Sequence, residues 1–141
     1  MPAGVNHPAL GYLIFCGVKA VGYTAAAAVI SRAYKRTDVN PLVVGVTRTL
    51  IGMATGVAFF GIVLATAGLQ FERGIEVALA VITLIILRFL EWWILVYAFY
   101  DRHLSSPRRD WIVVVLGTVW SFVLDIPAAL GYIFTCGFWV C

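Results

Sequence analysis

Four apolar runs, residues 9–30, 42–68, 74–100 and 111–134, take up most of the 141 residues, and each is long enough to cross a bilayer as a helix. Spanning the hydrocarbon takes about 20 mostly apolar residues. With 62% hydrophobic and 12% charged residues, the chain falls outside the range of a soluble domain, which is about 45–50% apolar and about 25% charged. The connections are short, so the expected fold is an all-α integral membrane protein. Its single domain, 1–141, is a four-transmembrane-helix up-down bundle with no room for a soluble catalytic domain.

A transmembrane barrel would show segments of about ten residues alternating apolar and polar. Runs such as 77–87 do not alternate. The punctuation is also helical. Asn40-Pro41 and Ser106-Pro107 each set a capping residue before a proline whose missing N–H costs nothing in a first helical turn, so helices two and four are expected to begin there.

Orientation follows from basic residues. The first connection carries Arg32, Lys35 and Arg36 and the third carries Arg102, Arg108 and Arg109, whereas the second has Arg73 beside Glu72 and Glu76. The positive-inside rule then places connections 31–41 and 101–110 in the cytoplasm and both termini outside a plasma or inner membrane. A cleaved signal peptide is the rival reading of the first run. Residues 1–8 lack positive charge, however, and Lys19 interrupts the apolar stretch.

Five ionisable residues lie inside the runs: Lys19, Arg48, Arg88, Glu91 and Asp125. Charge at membrane depth is costly unless paired, hydrated or used, which makes these positions the first place to look for function. Counting about 1.5 Å per residue puts Lys19 and Asp125 near the midplane, and Arg48 and Glu91 nearer the cytoplasm. Two ion pairs on two levels are expected, Lys19 with Asp125 and Arg48 with Glu91. Three cations against two carboxylates then leave one cation, Arg88, unmatched and suited to recruit an anion with its planar fork. The plainer alternatives are an Arg48 that snorkels to the headgroups, a purely structural Lys19–Asp125 pair, and charges that dock on a partner subunit.

Helical spacing extends the polar positions into stripes. Thr118, Ser121, Asp125, Ala128 and Tyr132 recur at steps of three and four on helix four, and Tyr12, Cys16, Lys19 and Tyr23 do so on helix one. Interhelical hydrogen bonding is the ordinary use of such stripes. Pro127 removes a backbone bond beside Asp125. On helix two, Gly45, Thr49, Gly52 and Gly56 form a small-residue face containing a GxxxG pattern, which suits either close packing within the monomer or a homo-oligomer. Tyr100, Trp111, Phe138 and Trp139 read as interfacial belt residues. Trp92 and Trp93 lie deeper and flank Glu91.

Familiar catalytic chemistry is absent from the sequence. His7 and His103 lie outside the runs, so no metal and no cofactor are expected. Cys136 and Cys141 allow an outer disulfide, but the spacing is weak and the count of three is odd. No glycine loop for phosphate and no basic face for nucleic acid is present, and the basic connections are accounted for by topology and anionic lipid. In size and layout alone the chain resembles the membrane-associated glutathione and eicosanoid enzymes. Those are expected to carry a Glu-Arg pair and an Asn opening helix two, where this chain reads Val46-Thr47-Arg48-Thr49, so no site residue is carried over.

Three function classes remain. The first is binding or transport of an anionic or amphiphilic solute or lipid at a charged intramembrane core formed by Lys19, Tyr23, Arg48, Arg88, Glu91, Trp92, Thr118, Ser121, Asp125 and Tyr132. The second is a small membrane enzyme holding an anionic substrate near the cytoplasmic face. The third is an accessory subunit of a larger complex. Membrane lipid is a partner in every case, and the first class is the favoured one.

Overall fold

In a computed structural model the chain forms four long helices, and the structure describes residues 8–67 and 73–136. Helix α1 spans Pro8–Ala33, α2 Pro41–Ala67, α3 Arg73–Leu95 and α4 Pro107–Cys136, with one π-helical turn, Val96–Tyr100, continuing α3. All four are long and apolar enough to cross a membrane. Helix α1 packs along α2 and α4, and α3 packs along the same two, so α1 and α3 stand on the diagonal of an up-down bundle.

Local chemistry sets the helix ends. The Asn40 side-chain oxygen accepts the Leu42 N–H at 3.0 Å, capping α2 one residue before the start expected from hydropathy. Helix α1 closes with the Arg36 N–H on the Ser31 carbonyl at 2.9 Å and with Lys35 at φ 54°. That 6→1 bond around a left-handed residue satisfies carbonyls the helix leaves open. At α4, Ser106 accepts the Arg109 and Asp110 N–H groups through its carbonyl, while the Asp101 carboxylate takes the Ser105 hydroxyl at 2.8 Å and the N–H groups of His103 and Ser106.

Packing differs between the two ends of the bundle. The end with the basic connections is closed, with Ala27, Tyr34, Val44, Leu95, Val96, Tyr100, Val113 and Val114 all buried. Towards the opposite end, no residue of 54–65 on α2 or 74–87 on α3 is buried. The π turn belongs to the closed half. It sets the Tyr100 hydroxyl against the Ala27 carbonyl at 3.1 Å and the Ser31 hydroxyl at 3.3 Å. Tyr100 is therefore an interior residue and not the belt residue its position suggests, whereas Trp111 is half exposed. Phe138, Trp139 and Cys141 lie outside the described residues, as does the side chain of Cys136.

Glycines fix how closely the helices approach. A Cβ at Gly45 would stand 2.6 Å from the Thr24 backbone nitrogen of α1, and one at Gly117 would run into the Trp92 indole of α3. In lipid the helices gain nothing from hiding apolar surface, so such close van der Waals fits carry much of their association. Gly56 has nothing within 4 Å of that position. Gly45→Ala should therefore destabilise the bundle by about 1–3 kcal/mol, the usual cost of overpacking, while Gly56→Ala stays near wild type. Unfolding in mixed detergent micelles checks the difference, and equal stability of the two variants would contradict this packing.

Candidate functional site

The embedded charges form one continuous cluster in the middle of the bundle, fed by all four helices. Glu91 of α3 is its centre. Its Oε2 lies 2.5 Å from Arg48 Nη2 of α2 and 3.4 Å from Arg88 Nη1 on its own helix, and its Oε1 accepts the Thr55 hydroxyl of α2. Arg88 reaches on to Asp125 of α4 at 3.6 Å, and Asp125 pairs with Lys19 of α1 at 2.5 Å. Both expected pairs are present. The two expected levels are merged, however, and Arg88 is not unmatched, because it spans the two carboxylates. Three residues on from Arg88, Glu91 shares its helix face, and that neighbourhood was readable only within α3.

Arg48 is held on every side. It is 0% exposed, and its Nη2 donates to the Ser121 hydroxyl at 3.2 Å. Its guanidinium lies 4.8 Å from the Tyr23 ring centroid and 5.4 Å from that of Trp92. The snorkelling alternative for Arg48 is thereby excluded. The Trp92 indole N–H donates to the same Ser121 oxygen at 2.8 Å, and Ser121 donates to the Gly117 carbonyl. Thr118 is spent within its own helix, donating to the Val114 carbonyl at 2.8 Å. The side chain of Tyr132 lies outside the described residues.

A cavity of about 360 Å³ adjoins the cluster on the side away from the basic connections. Lys19, Tyr23 and Arg88 form its polar floor, and the whole expected α1 stripe of Tyr12, Cys16, Lys19 and Tyr23 lines it. Its upper wall is Phe15, Met53, Val57 and Phe60, with Val57 and Phe60 largely exposed. Lys19 Nζ also sits 4.4 Å from the Phe15 ring centroid. Gly52 opens the floor, since a Cβ there would come within 3.2 Å of an Arg48 nitrogen and 3.5 Å of an Arg88 nitrogen. Arg48, Glu91, Trp92 and Ser121 stand behind this floor and do not line the cavity.

The cluster carries more cation than anion. Among the described residues, the Tyr23 hydroxyl, Arg48 Nε and Nη1, and Arg88 Nε are buried without a hydrogen-bond acceptor. A buried unpaired donor costs about 1–3 kcal/mol, and the unbalanced positive charge adds to that cost in a low-dielectric interior. The arrangement is suited to taking up acceptor oxygens from outside the chain.

A second polar group at the basic end gave no signal in the sequence. Tyr34 donates to Asp110 Oδ1 at 2.5 Å, its ring packs 5.3 Å from Tyr100, and the Arg109 guanidinium covers it at 4.0 Å. Burial, and then the Asp110 carboxylate, push the Tyr34 phenol well above its usual range, so it stays a donor at any physiological pH. Asp110 is 0% exposed. It lies in the first turn of α4, and only the fold brings Tyr34 to it.

No family model, curated protein or solved structure matches this chain.

Double-mutant cycles should give strong coupling for Lys19→Ala with Asp125→Ala and stronger coupling for Arg48→Ala with Glu91→Ala, whose partners are the more buried. Single loss at Glu91 should cost about 3–5 kcal/mol, since it strands buried charge. Additive effects would refute the pairs. In the connection after α3, desolvation pushes the Asp101 carboxyl up, but the Ser105 hydroxyl and the backbone N–H groups of Ser105, His103 and Ser106 outweigh it and hold the group below the usual carboxylate range. A depressed folded-state value means that Asp101 contributes stability above the unfolded value, about pH 4, and loses it as pH falls through the lower folded value. Thermal unfolding midpoints recorded on acidification should therefore fall less steeply in Asp101→Asn than in wild type, and parallel curves would remove this contribution.

Proposed function

We propose that this integral membrane protein binds an anionic or amphiphilic solute at its intramembrane cationic core. The observation that carries the proposal is the cavity floor. Lys19 and Arg88 face an apolar chamber from a cluster in which three cations share two carboxylates. A phosphate or carboxylate head would meet Lys19, Arg88 Nε and the Tyr23 hydroxyl, gaining charge-assisted hydrogen bonds at a depth where water does not compete. The attached apolar chain would lie along Phe15, Met53, Val57 and Phe60. With the basic connections on the cytoplasmic side, as the positive-inside rule has it, the chamber opens outward and the ligand enters from the outer leaflet.

Arg48 is a positioning residue in this scheme. Enclosed by Glu91, Ser121 and two aromatic rings, it holds Glu91 in place, and Glu91 in turn keeps Arg88 beside the cavity. Transport is the larger form of the proposal. It would require the buried side chains Tyr23, Trp92, Leu95 and Val96 to part so that the ligand reached the basic end, a rearrangement of alternating-access type.

Equilibrium binding of matched amphiphiles tests the reading. Dodecyl phosphate and dodecanoate should bind the purified protein at least tenfold more tightly than dodecyltrimethylammonium, and Arg88→Gln should erase the preference. Gly52→Val, which fills the floor between the guanidinium groups, should weaken both anions without changing the topology. Equal affinity for the cationic amphiphile, or full anion binding in Arg88→Gln, would overturn the proposal. Flux of the bound anion in liposomes then separates transport from binding alone.

A further inference from the structure

A separate feature lies on the other face of the bundle, between α1 and α4. An apolar groove of about 990 Å³ runs from the basic connections to mid-depth, walled by Ala25, Val29, Ile30, Ile112, Leu116 and Val119. Several of these walls are open, with Val29 64%, Leu116 62% and Val119 55% exposed. At the mouth stand Ser106, Arg108 and Arg109. Among the described residues neither arginine makes an ion pair, and Arg109 Nε has no acceptor. At mid-depth the groove is closed, because the Trp120 indole N–H donates to the Gly22 carbonyl at 3.1 Å and Leu124 packs on Gly22. The inner wall is Trp92, which separates the groove from the charged cluster.

We propose that this groove is a binding site for one anionic phospholipid of the leaflet on the basic side, its phosphate on Arg108 and Arg109 and an acyl chain along α1 and α4. Depth supports the assignment. Ile112 to Val123 covers about 16 Å at about 1.5 Å per residue, close to half of a hydrocarbon core about 30 Å thick. A partner helix would need a face running the full span, whereas this groove ends where a leaflet ends. Charge supports it as well. Two guanidinium groups with no ion pair among the described residues stand at headgroup level, Arg108 exposed and Arg109 laid over the Tyr34 ring, and basic pockets between helices on the cytoplasmic side are suited to anionic headgroups. A zwitterionic lipid satisfies the walls equally but leaves its cationic group against the arginines.

The test uses the full chain in detergent, incubated with equal amounts of dioleoylphosphatidylglycerol and dioleoylphosphatidylcholine, with retained lipid counted by native mass spectrometry. Wild type should retain a single phosphatidylglycerol with at least a tenfold preference. Arg108→Gln, at an exposed residue with no ion-pair partner among the described residues, should reduce that preference to threefold or less. Ala25→Phe, an exposed substitution that fills the groove, should lower retention of the lipid itself. Equal retention of the two lipids would overturn the proposal, as would an unaltered preference in Arg108→Gln. Full phosphatidylglycerol retention in Ala25→Phe would overturn it too, and an Ala25→Cys disulfide dimer excluding lipid would assign the groove to a second copy of the chain.

Discussion

The bundle depends on Glu91. In a bilayer the apolar faces of the helices are as well solvated by lipid as by one another, so the register of one helix against the next must come from close packing and from polar contacts. Glu91 ties α3 to α2 through Arg48 and Thr55, and Arg88 carries the connection to Asp125 on α4 and through it to Lys19 on α1. One carboxylate thus begins a path that visits every helix. A buried ion pair is weak evidence for stability in itself, because desolvation offsets its attraction. Its consequence here is uniqueness: any slip of one helix by a turn would leave at least one charge without a counterion in an interior that penalises it.

That cluster also divides the bundle. Between it and the basic connections the helices touch through buried aromatic and β-branched side chains, and the π turn brings Tyr100 onto α1. A single extra residue in a helical turn re-aims the side chains after it, and without it Tyr100, five residues on from the buried Leu95, would not share a side of the helix with it. Beyond the cluster α2 and α3 bury no residue over 54–65 and 74–87. The polar floor is therefore covered on one side by a dense core and on the other by a chamber with exposed walls. Charge buried this way is reached from one end.

Much of this was legible in the chain. Length and hydropathy fixed the four spans, because the cost of placing backbone in lipid leaves few alternatives to a long helix. The cap at Asn40 and the start of α4 after Ser106 followed from local chemistry, and counting residues from the helix ends was enough to bring Lys19 to Asp125 and Arg48 to Glu91. Depth alone does not fix rotation about the helix axis. The position of Arg88 between two carboxylates, the enclosure of Arg48 and the withdrawal of Thr118 into its own helix all depend on rotation, which is set by contacts such as Gly45 on Thr24 and Gly117 on Trp92. The Tyr34–Asp110 bond was beyond reach for a related reason: its partners lie 76 positions apart, one just past the end of α1 and the other in the first turn of α4.

Trp92 links the two halves of the ligand question. Its indole N–H and ring edge belong to the charged cluster, through Ser121, Tyr23 and Arg48, while another part of the same ring is the inner wall of the groove between α1 and α4. Gly117 allows this, since any side chain there would displace the ring. Trp92 lines the groove but not the cavity, so the charged cluster stands between the two, and they differ in kind. Under the proposed reading, selection at the cavity floor would rest on charge held at depth, where an acceptor oxygen would meet buried donors. In the groove, under the lipid proposal, it would rest on charge at headgroup level, where salt and water weaken each contact and the apolar walls would supply most of the attraction. With its N–H on Ser121 and its ring against Gly117, Trp92 is held in one orientation and keeps the groove apart from the charged cluster.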